Sequence, residues 1–145
     1  MMEFSNRLGD ASYKKGFFLF LAKKILQEEG KAGEFSLILV NEESIKELNR
    51  KYRARDEVTD VLSFCYQEGG KFVFPPKSLL KLGEIILCPP FIKKQAQKEN
   101  LDFEEQLARV FVHGILHLLG YNHNTAKDLK KMEELQEKYL SQIYG

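Results

Sequence analysis

Three histidines lie within eleven residues of this chain, and no other histidine occurs in it. His113 and His117 are four residues apart in a run that predicts a helix, and residues at that spacing leave one helix face about a turn apart. Gly120 can take the left-handed conformation that ends a helix, so the chain can fold back and bring His123 toward the same point. Neutral imidazoles in this arrangement are good ligands for a transition metal.

The histidine segment indicates an open metal site. A lone histidine on an apolar helix face is usually a packed or capping residue, but three together at chelating spacing favour metal binding. The segment contains no cysteine or aspartate that would close a structural zinc site. We therefore predict one Zn²⁺ per chain, bound by His113, His117 and His123 with room for water, and another divalent transition metal as the alternative.

The position after the first histidine argues against one class of metalloenzyme. The spacing H-x-x-x-H-x-x-G-x-x-H has the outline of extended zincin peptidases, in which a glutamate at that position serves as general base. Here the residue is Gly114, which has no side chain to accept a proton. A metallopeptidase is the least favoured reading, because its base would have to come from elsewhere.

Apolar periodicity predicts that the metal-binding helix is buried. Asp102 to Glu105 resembles a capping box at its start. The residues expected to pack against a sheet share one face of the helix: Leu107, Val110, Phe111, Ile115 and Leu118. Burial of that face would hold the two helical histidines rigidly.

The remaining periodicity predicts an α+β fold: a single compact domain over residues 1–145, with a small mixed sheet of about four strands packed with helices. A zincin-like metal site would lie on a buried helix. Helices are expected over 12–29, with Ser12 as N-cap, and over 42–52, 91–100 and 125–143; strands are expected over 35–41, 61–66 and 82–88. Residues 69–76 should form an irregular connection.

A basic segment lies at the end of the second predicted helix, where Arg50, Lys51, Arg53 and Arg55 surround Tyr52. Such a run is usually a solvated helix end, whose cations complement the helix dipole. Contact with phosphate groups is the competing interpretation.

Three motifs resemble the YbeY family of bacterial rRNA maturation factors. HGILHLLGYNH is similar to the family pattern HGxLHLxGYDH, with Asn122 in place of the usual Asp. The stretch from Leu48 to Phe64 is similar to LNxxYRxxDxPTDVLSF, with Val58 in place of Pro, and LGEIILC resembles LGDIVIC, with Glu84 in place of Asp. The resemblance extends over roughly residues 35–135.

This resemblance implies metal-dependent cleavage of single-stranded RNA in ribosomal RNA maturation, including small-subunit rRNA processing and ribosome quality control. Arg53 is then the functional arginine, which would hold the scissile phosphate. The other three cations of the basic segment would bind RNA with it, and the partners would be single-stranded or ribosomal RNA and ribosomal particles. The alternative is a non-catalytic RNA- or ribosome-binding assembly factor whose metal stiffens the fold.

The proton carrier is open at this point, because Gly114 removes the usual base. The candidates are Glu84, Asp60 and the zinc-bound hydroxide itself. Glu84 is either a buried carboxylate that supports a histidine or a strand-end acid that faces water. Asn122 removes a carboxylate that the family usually has, which would reduce activity if that group is catalytic, whereas an amide retains a positioning role.

Composition limits the class of protein. The chain has 145 residues, 43% of them hydrophobic and 30% charged, which suits one globular domain. With 22 basic against 21 acidic residues, nucleic-acid contact must come from local clustering. No apolar run reaches the roughly 18 residues that span a membrane. We expect a cytoplasmic protein without a membrane segment, with a monomer favoured and with Cys65 and Cys88 as reduced thiols.

Overall fold

The computed structural model describes residues 2–66 and 81–145. Within them, one four-stranded mixed sheet packs with five helices, which confirms the predicted α+β class and sheet. The strands are β1 (Met2–Asn6), β2 (Glu34–Leu39), β3 (Val61–Cys65) and β4 (Lys81–Leu87). The helices are α1 (Lys15–Glu28), α2 (Glu42–Arg53), α3 (Pro89–Glu99), α4 (Phe103–Leu118) and α5 (Ala126–Tyr144). The irregular connection predicted over 69–76 lies outside the described residues.

The sheet has the strand order β1-β2-β4-β3. β1 pairs parallel with β2 and β2 parallel with β4, whereas β3 is antiparallel to β4. β3 therefore lies at an edge of the sheet, where Val61 is paired with Leu87 and Cys65 with Gly83. This edge lies against α4, so the start of β3 and the predicted metal helix come together.

Helix α4 is the most buried helix of the described chain, as its apolar periodicity predicts. Asp102 caps its start by accepting a hydrogen bond from the Glu105 backbone N–H at 3.0 Å. Its buried residues are Leu107, Ala108, Val110, Phe111, Val112, Gly114, Ile115, Leu116 and Leu118. Burying one large apolar side chain contributes about 1.5–3 kcal/mol. With α1, α5 and the sheet packed around it, α4 is a fixed platform for the histidines.

Three details of the secondary structure differ from the predictions. β1 was not predicted, because five alternating residues at a chain end give a weak signal. α1 begins at Lys15, since Ser12 bonds to the Asp10 carboxylate and caps no helix. α3 begins at Pro89, where the missing N–H of proline is not needed in a first helical turn.

The two cysteines have free thiols, as predicted. Cys88 is fully buried, and burial raises the pKa of its thiol. Cys65 is half-buried, with its Sγ 3.5 Å from the carbonyl oxygen of Leu118. Among the described helices, none combines the length and apolar character that a membrane crossing requires.

Candidate metal centre

The three histidines selected from the sequence lie together at one end of α4. His113 and His117 leave the helix itself, and His123 comes from the loop that follows it. One ligand nitrogen from each ring lies within 4.8 Å of the corresponding nitrogens of the other two. Among the described residues, no carboxylate or thiol joins this group, so the donor set suits one ion with an open position.

The loop that carries His123 is folded back by its own backbone bonds. Gly120 has a φ of +102°, which favours glycine, and its N–H donates to the carbonyl oxygen of His117 at 3.1 Å. The N–H of Tyr121 donates to Leu116 at 3.1 Å. Asn122 accepts a bond from the backbone N–H of Asn124 at 3.1 Å through Oδ1. A carboxylate would accept the same bond, so Asn122 retains a positioning contact next to His123.

Tyr121 ties this loop to two other helices. Its hydroxyl donates to the Glu29 carboxylate at 2.7 Å, at the end of α1, and the Tyr139 hydroxyl on α5 donates to the same carboxylate. The bond to Glu29 raises the pKa of Tyr121 to about 12. Tyr121 therefore holds the loop to the body of the protein two residues before His123.

His113 is a half-buried ligand candidate on the inner side of the site. Burial lowers the pKa of its imidazole, which favours the neutral form that metals bind. Its Nδ1 lies 3.0 Å from Oε1 of Gln136 on α5. His123, by contrast, is exposed. The site is thus closed on the side of α5 and open toward solvent at the loop.

Gly114 lies close to the sheet, on the face of α4 that packs against β3 and β4. A Cβ added there would lie 3.2 Å from Cγ2 of Ile85 and 3.3 Å from Oγ of Ser63. Both distances are shorter than ordinary van der Waals contact, so a side chain at this position would have to displace Ile85 or Ser63. The close packing of α4 on β3 and β4 therefore favours glycine at the position where an extended zincin has its base.

A cleft of about 400 Å³ opens beside the histidines. One of its walls is made by α4 and the loop, and the other by the end of α2 and the start of β3. The lining residues are Arg53, Asp60, Val61, Leu62, Ser63, His113, His117 and His123.

Arg53, the last residue of α2, reaches the cleft around the edge of the sheet. Its Nη2 donates to the carbonyl oxygen of Ser63 at 2.7 Å, and its guanidinium carbon lies 4.9 Å from the ring centroid of Phe64. These contacts hold the head group beside β3. Because a guanidinium has five N–H donors, one bond to Ser63 leaves donors for a phosphate.

The other three cations of the basic segment lie outside the lining of the cleft. Arg50 is paired with Glu47, and Arg55 lies 3.5 Å from Glu57. The ammonium group of Lys51 lies 5.3 Å from the centroid of the neighbouring Tyr52 ring. Nearby glutamates thus offset two of the charges, and Arg53 is the member of this segment that the structure brings to the histidines.

Asp60 places a carboxyl group in the cleft at the start of β3. Its backbone carbonyl accepts a bond from the Cys88 N–H at 2.9 Å, which fixes its position. Burial raises the pKa of this carboxyl, while a bond from the Val61 backbone and the charge of His113 act in the opposite direction. Asp60 is therefore a less acidic carboxyl group close to His113.

Glu84, the other proton carrier considered from the sequence, lies on the opposite face of the sheet. It is paired with Phe64 in β3, and its neighbour Ile85 faces α4. Since side chains alternate along a strand, Glu84 points away from α4. Glu84 interacts with Tyr66, whose pKa is raised by burial and then by Glu84. The structure does not bring Glu84 to the histidines.

Two polar residues near the site were not singled out from the sequence. Asn49 is 3% exposed and donates through Nδ2 to the carbonyl oxygen of Glu57 at 3.0 Å, which latches the approach to β3 onto α2. Gln136 contacts His113 from α5. The sequence gives one weak indication of this contact: Gln136 lies four positions from both Met132 and Leu140, so it shares the face of α5 that is buried.

The sequence and the fold of this chain are similar to those of known proteins. A family described as Endoribonuclease YbeY matches residues 5–144. An Endoribonuclease YbeY from Persephonella marina is 38% identical over 142 residues, covering 96% of this chain and 90% of that protein. One from Thermotoga maritima is 38% identical over 124 residues, covering 85% and 76%. The solution structure of a Thermotoga maritima protein matches with a TM-score of 0.68 at 34% identity, covering 100% of this chain and 90% of that one.

Proposed function

The chain belongs to the YbeY family of endoribonucleases, and from this premise we propose that it is a zinc-dependent enzyme that cleaves single-stranded RNA. One observation carries the proposal: Arg53 and Asp60 line the same cleft as the three convergent imidazoles. A cation for phosphate, a carboxyl group for proton transfer and a metal-ligand set are the parts that phosphodiester hydrolysis needs.

The histidines supply the metal site in this proposal. His113, His117 and His123 would hold the ion through neutral nitrogens, and the exposed side of the site at His123 leaves the approach for RNA. Bound zinc would lower the pKa of a coordinated water toward about 7 and polarise a phosphoryl oxygen.

Arg53 is assigned the role of binding the scissile phosphate. Its guanidinium is fixed by Ser63 at the cleft wall opposite the histidines, so a phosphate between the walls can be contacted from both sides. A fixed cation there stabilises the negative charge that develops on the phosphoryl oxygens.

Asp60 is assigned the role of general base. A general base works best when its pKa lies near the working pH, and burial moves the pKa of this carboxyl upward in that direction. In this role Asp60 accepts a proton from the attacking hydroxyl group. The position of Glu84 across the sheet supports Asp60 as the better candidate.

The packing at Gly114 weighs against peptide hydrolysis. A peptidase of the extended zincin type takes its base from this position, where the residue is Gly114 and a larger side chain would have to displace Ile85 or Ser63. The assembly-factor alternative differs from the enzyme only in catalysis, so its test is whether bound RNA is cleaved.

The proposal also includes the RNA substrate, the partners and the cellular location of the enzyme. We place the activity in a single domain over residues 1–145 that acts on ribosomal RNA in small-subunit maturation and ribosome quality control. Ribosomal particles are its partners, the cytoplasm is its location, and the monomer is its working form. The family membership supports the RNA substrate, and the local charge at Arg53 supports phosphate contact.

The test incubates purified protein with single-stranded RNA and, separately, with a denatured protein substrate, each with and without a chelator. RNA cleavage that disappears on chelation and in His117→Ala supports the enzyme. Persistent RNA binding without cleavage supports the assembly factor, and cleavage of the protein substrate supports the peptidase. Restoration of RNA cleavage by added Zn²⁺, in preference to Mg²⁺ or Mn²⁺, supports the metal assignment.

A further inference from the structure

Gln136 on α5 reaches the metal centre without being a metal ligand. Its Oε1 lies 3.0 Å from Nδ1 of His113, and both side chains are half-buried. We propose that Gln136 is a positioning residue that fixes the tautomer and the ring orientation of His113 for metal binding. This role deepens the proposed function and rests on its metal site.

The direction of the bond follows from the next contact along α5. Nε2 of Gln136 lies 3.2 Å from a carboxylate oxygen of Glu137. A carboxylate only accepts hydrogen bonds, so the NH₂ group of the amide must be on that side and its oxygen must face His113. An amide oxygen also only accepts, so Nδ1 of His113 carries the hydrogen. Nε2 of His113 then retains its lone pair as the metal-binding nitrogen.

Glu137 is itself fixed by an arginine on α4. Nε and Nη2 of Arg109 donate to its two carboxylate oxygens, each at 3.0 Å. These bonds lower the pKa of the Glu137 carboxyl, so it is ionised at neutral pH. Arg109 also donates to Gln106 at 2.7 Å, one turn earlier on α4.

The contacts form a chain from Arg109 through Glu137 and Gln136 to His113. Arg109 and His113 are four residues apart on α4, and the other two members are neighbours on α5. The Glu137 carboxylate only accepts, so it sets the direction of the bonds: Arg109 and Gln136 both donate to it, and His113 donates to the amide oxygen of Gln136. The packing of α5 on α4 thereby selects the Nδ1–H tautomer of His113.

The consequence for metal binding is preorganisation. Without an acceptor at Nδ1, His113 would divide between two tautomers and several ring orientations, and only part of that population could bind an ion through Nε2. Partners that hold a ligating histidine in this way typically contribute about 10–100-fold in metal affinity. We expect a loss in this range when the acceptor is removed.

The experiment compares Gln136→Met, which removes the acceptor at similar size, with Gln136→Glu, which retains it. Gln142→Met makes the same chemical change at an exposed position of α5 and serves as the matched control. Zn²⁺ affinity is measured by competition with a chromophoric chelator. The His113 tautomer is read in metal-free protein from long-range ¹⁵N–¹H spectra of the imidazoles, and thermal unfolding confirms that each variant is folded.

In the wild type we expect a single Nδ1–H tautomer at His113. Gln136→Met should lose that tautomer and bind Zn²⁺ about 10–100-fold more weakly. Gln136→Glu should keep the tautomer and most of the affinity, and Gln142→Met should match the wild type.

Two results would overturn the role of Gln136. The first is an Nε2–H tautomer in the wild type, and the second is an unchanged tautomer and Zn²⁺ affinity in Gln136→Met. Either result contradicts the positioning role of Gln136 but leaves the proposed metal site intact. Wild-type protein that binds no divalent metal overturns the proposed function and this role together.

Discussion

The two walls of the cleft are stabilised in different ways. The metal wall consists of α4 and the loop to His123, and it lies on buried side chains and on hydrogen bonds to α1 and α5. The arginine wall runs from Arg53 to Ser63, and residues 53–57 in it are exposed. Arg53 itself is held by one hydrogen bond and one aromatic ring.

This difference separates folding from substrate contact. Changes on the metal wall should affect stability and metal affinity together, because two of the proposed ligands, His113 and His117, share their helix with the core. Changes on the arginine wall should affect catalysis with little effect on the fold. Four substitutions test this division, in decreasing order of expected effect.

The largest effect is expected for Gly114→Glu on the metal wall. The new side chain would push into Ile85 and Ser63 and bury a charge, which should lower the free energy of unfolding by about 4 kcal/mol or prevent folding. Urea unfolding followed by circular dichroism measures it. Gly16→Glu is the control, because nothing lies within 4 Å of that position at the start of α1. A stable Gly114→Glu protein would contradict the close packing of α4.

Asp60→Asn should separate activity from stability. As the proposed base, its loss should slow RNA cleavage by about 10²–10³-fold. In metal-free protein the opposite sign is expected for stability: a raised folded-state pKa means that ionised Asp60 disfavours the fold at neutral pH. The variant should then be more stable than the wild type at pH 7, and this gain should disappear as the pH falls through the raised pKa toward the unfolded value. Denaturant titrations across this pH range measure it, and a variant less stable at pH 7 would contradict the assignment.

Arg53→Glu should slow RNA cleavage by about 100-fold, because a fixed donor to the phosphate is replaced by a like charge. Its zinc content should equal that of the wild type, since Arg53 lies on the wall opposite the three histidines proposed as ligands. Arg50→Glu makes the same charge change three residues away on α2, outside the cleft lining, and should change cleavage only a few-fold. Equal losses in the two variants would point to general electrostatic attraction of RNA, and loss of zinc from Arg53→Glu would remove its assigned role.

The smallest effect is expected for Tyr121→Phe. It removes one hydrogen bond to Glu29 and should lower the free energy of unfolding by about 1 kcal/mol. Tyr52→Phe, at an exposed tyrosine, is the control and should leave stability unchanged. Thermal unfolding compares the two. An equal effect in both would mean that the Glu29 contact does not hold the histidine loop.

The sequence was most informative where the geometry is local. The four-residue spacing of His113 and His117 fixes a common helix face, and Gly120 provides the turn toward His123. Contacts between distant segments could not be read in this way. Gln136 meets His113 through the packing of α5 on α4, 23 positions along the chain.

Strand orientation explains the remaining difference. The sequence marked Glu84 as a carboxylate in a buried strand, but which face it occupies depends on the pleat of β4 relative to α4. The packing of Ile85 on Gly114 decides that question and directs Glu84 away from the site. Asp60 enters the cleft because it precedes the edge strand that lies against α4.

The central claim is that three imidazoles hold one metal ion and leave a position open. X-ray absorption of the zinc-loaded protein, combined with metal analysis, tests it most directly. We expect one Zn²⁺ per chain with three imidazole nitrogens at about 2.0–2.1 Å and an exchangeable oxygen ligand, and loss of the ion in His123→Ala. A fourth protein ligand, or full zinc binding without His123, would contradict the account.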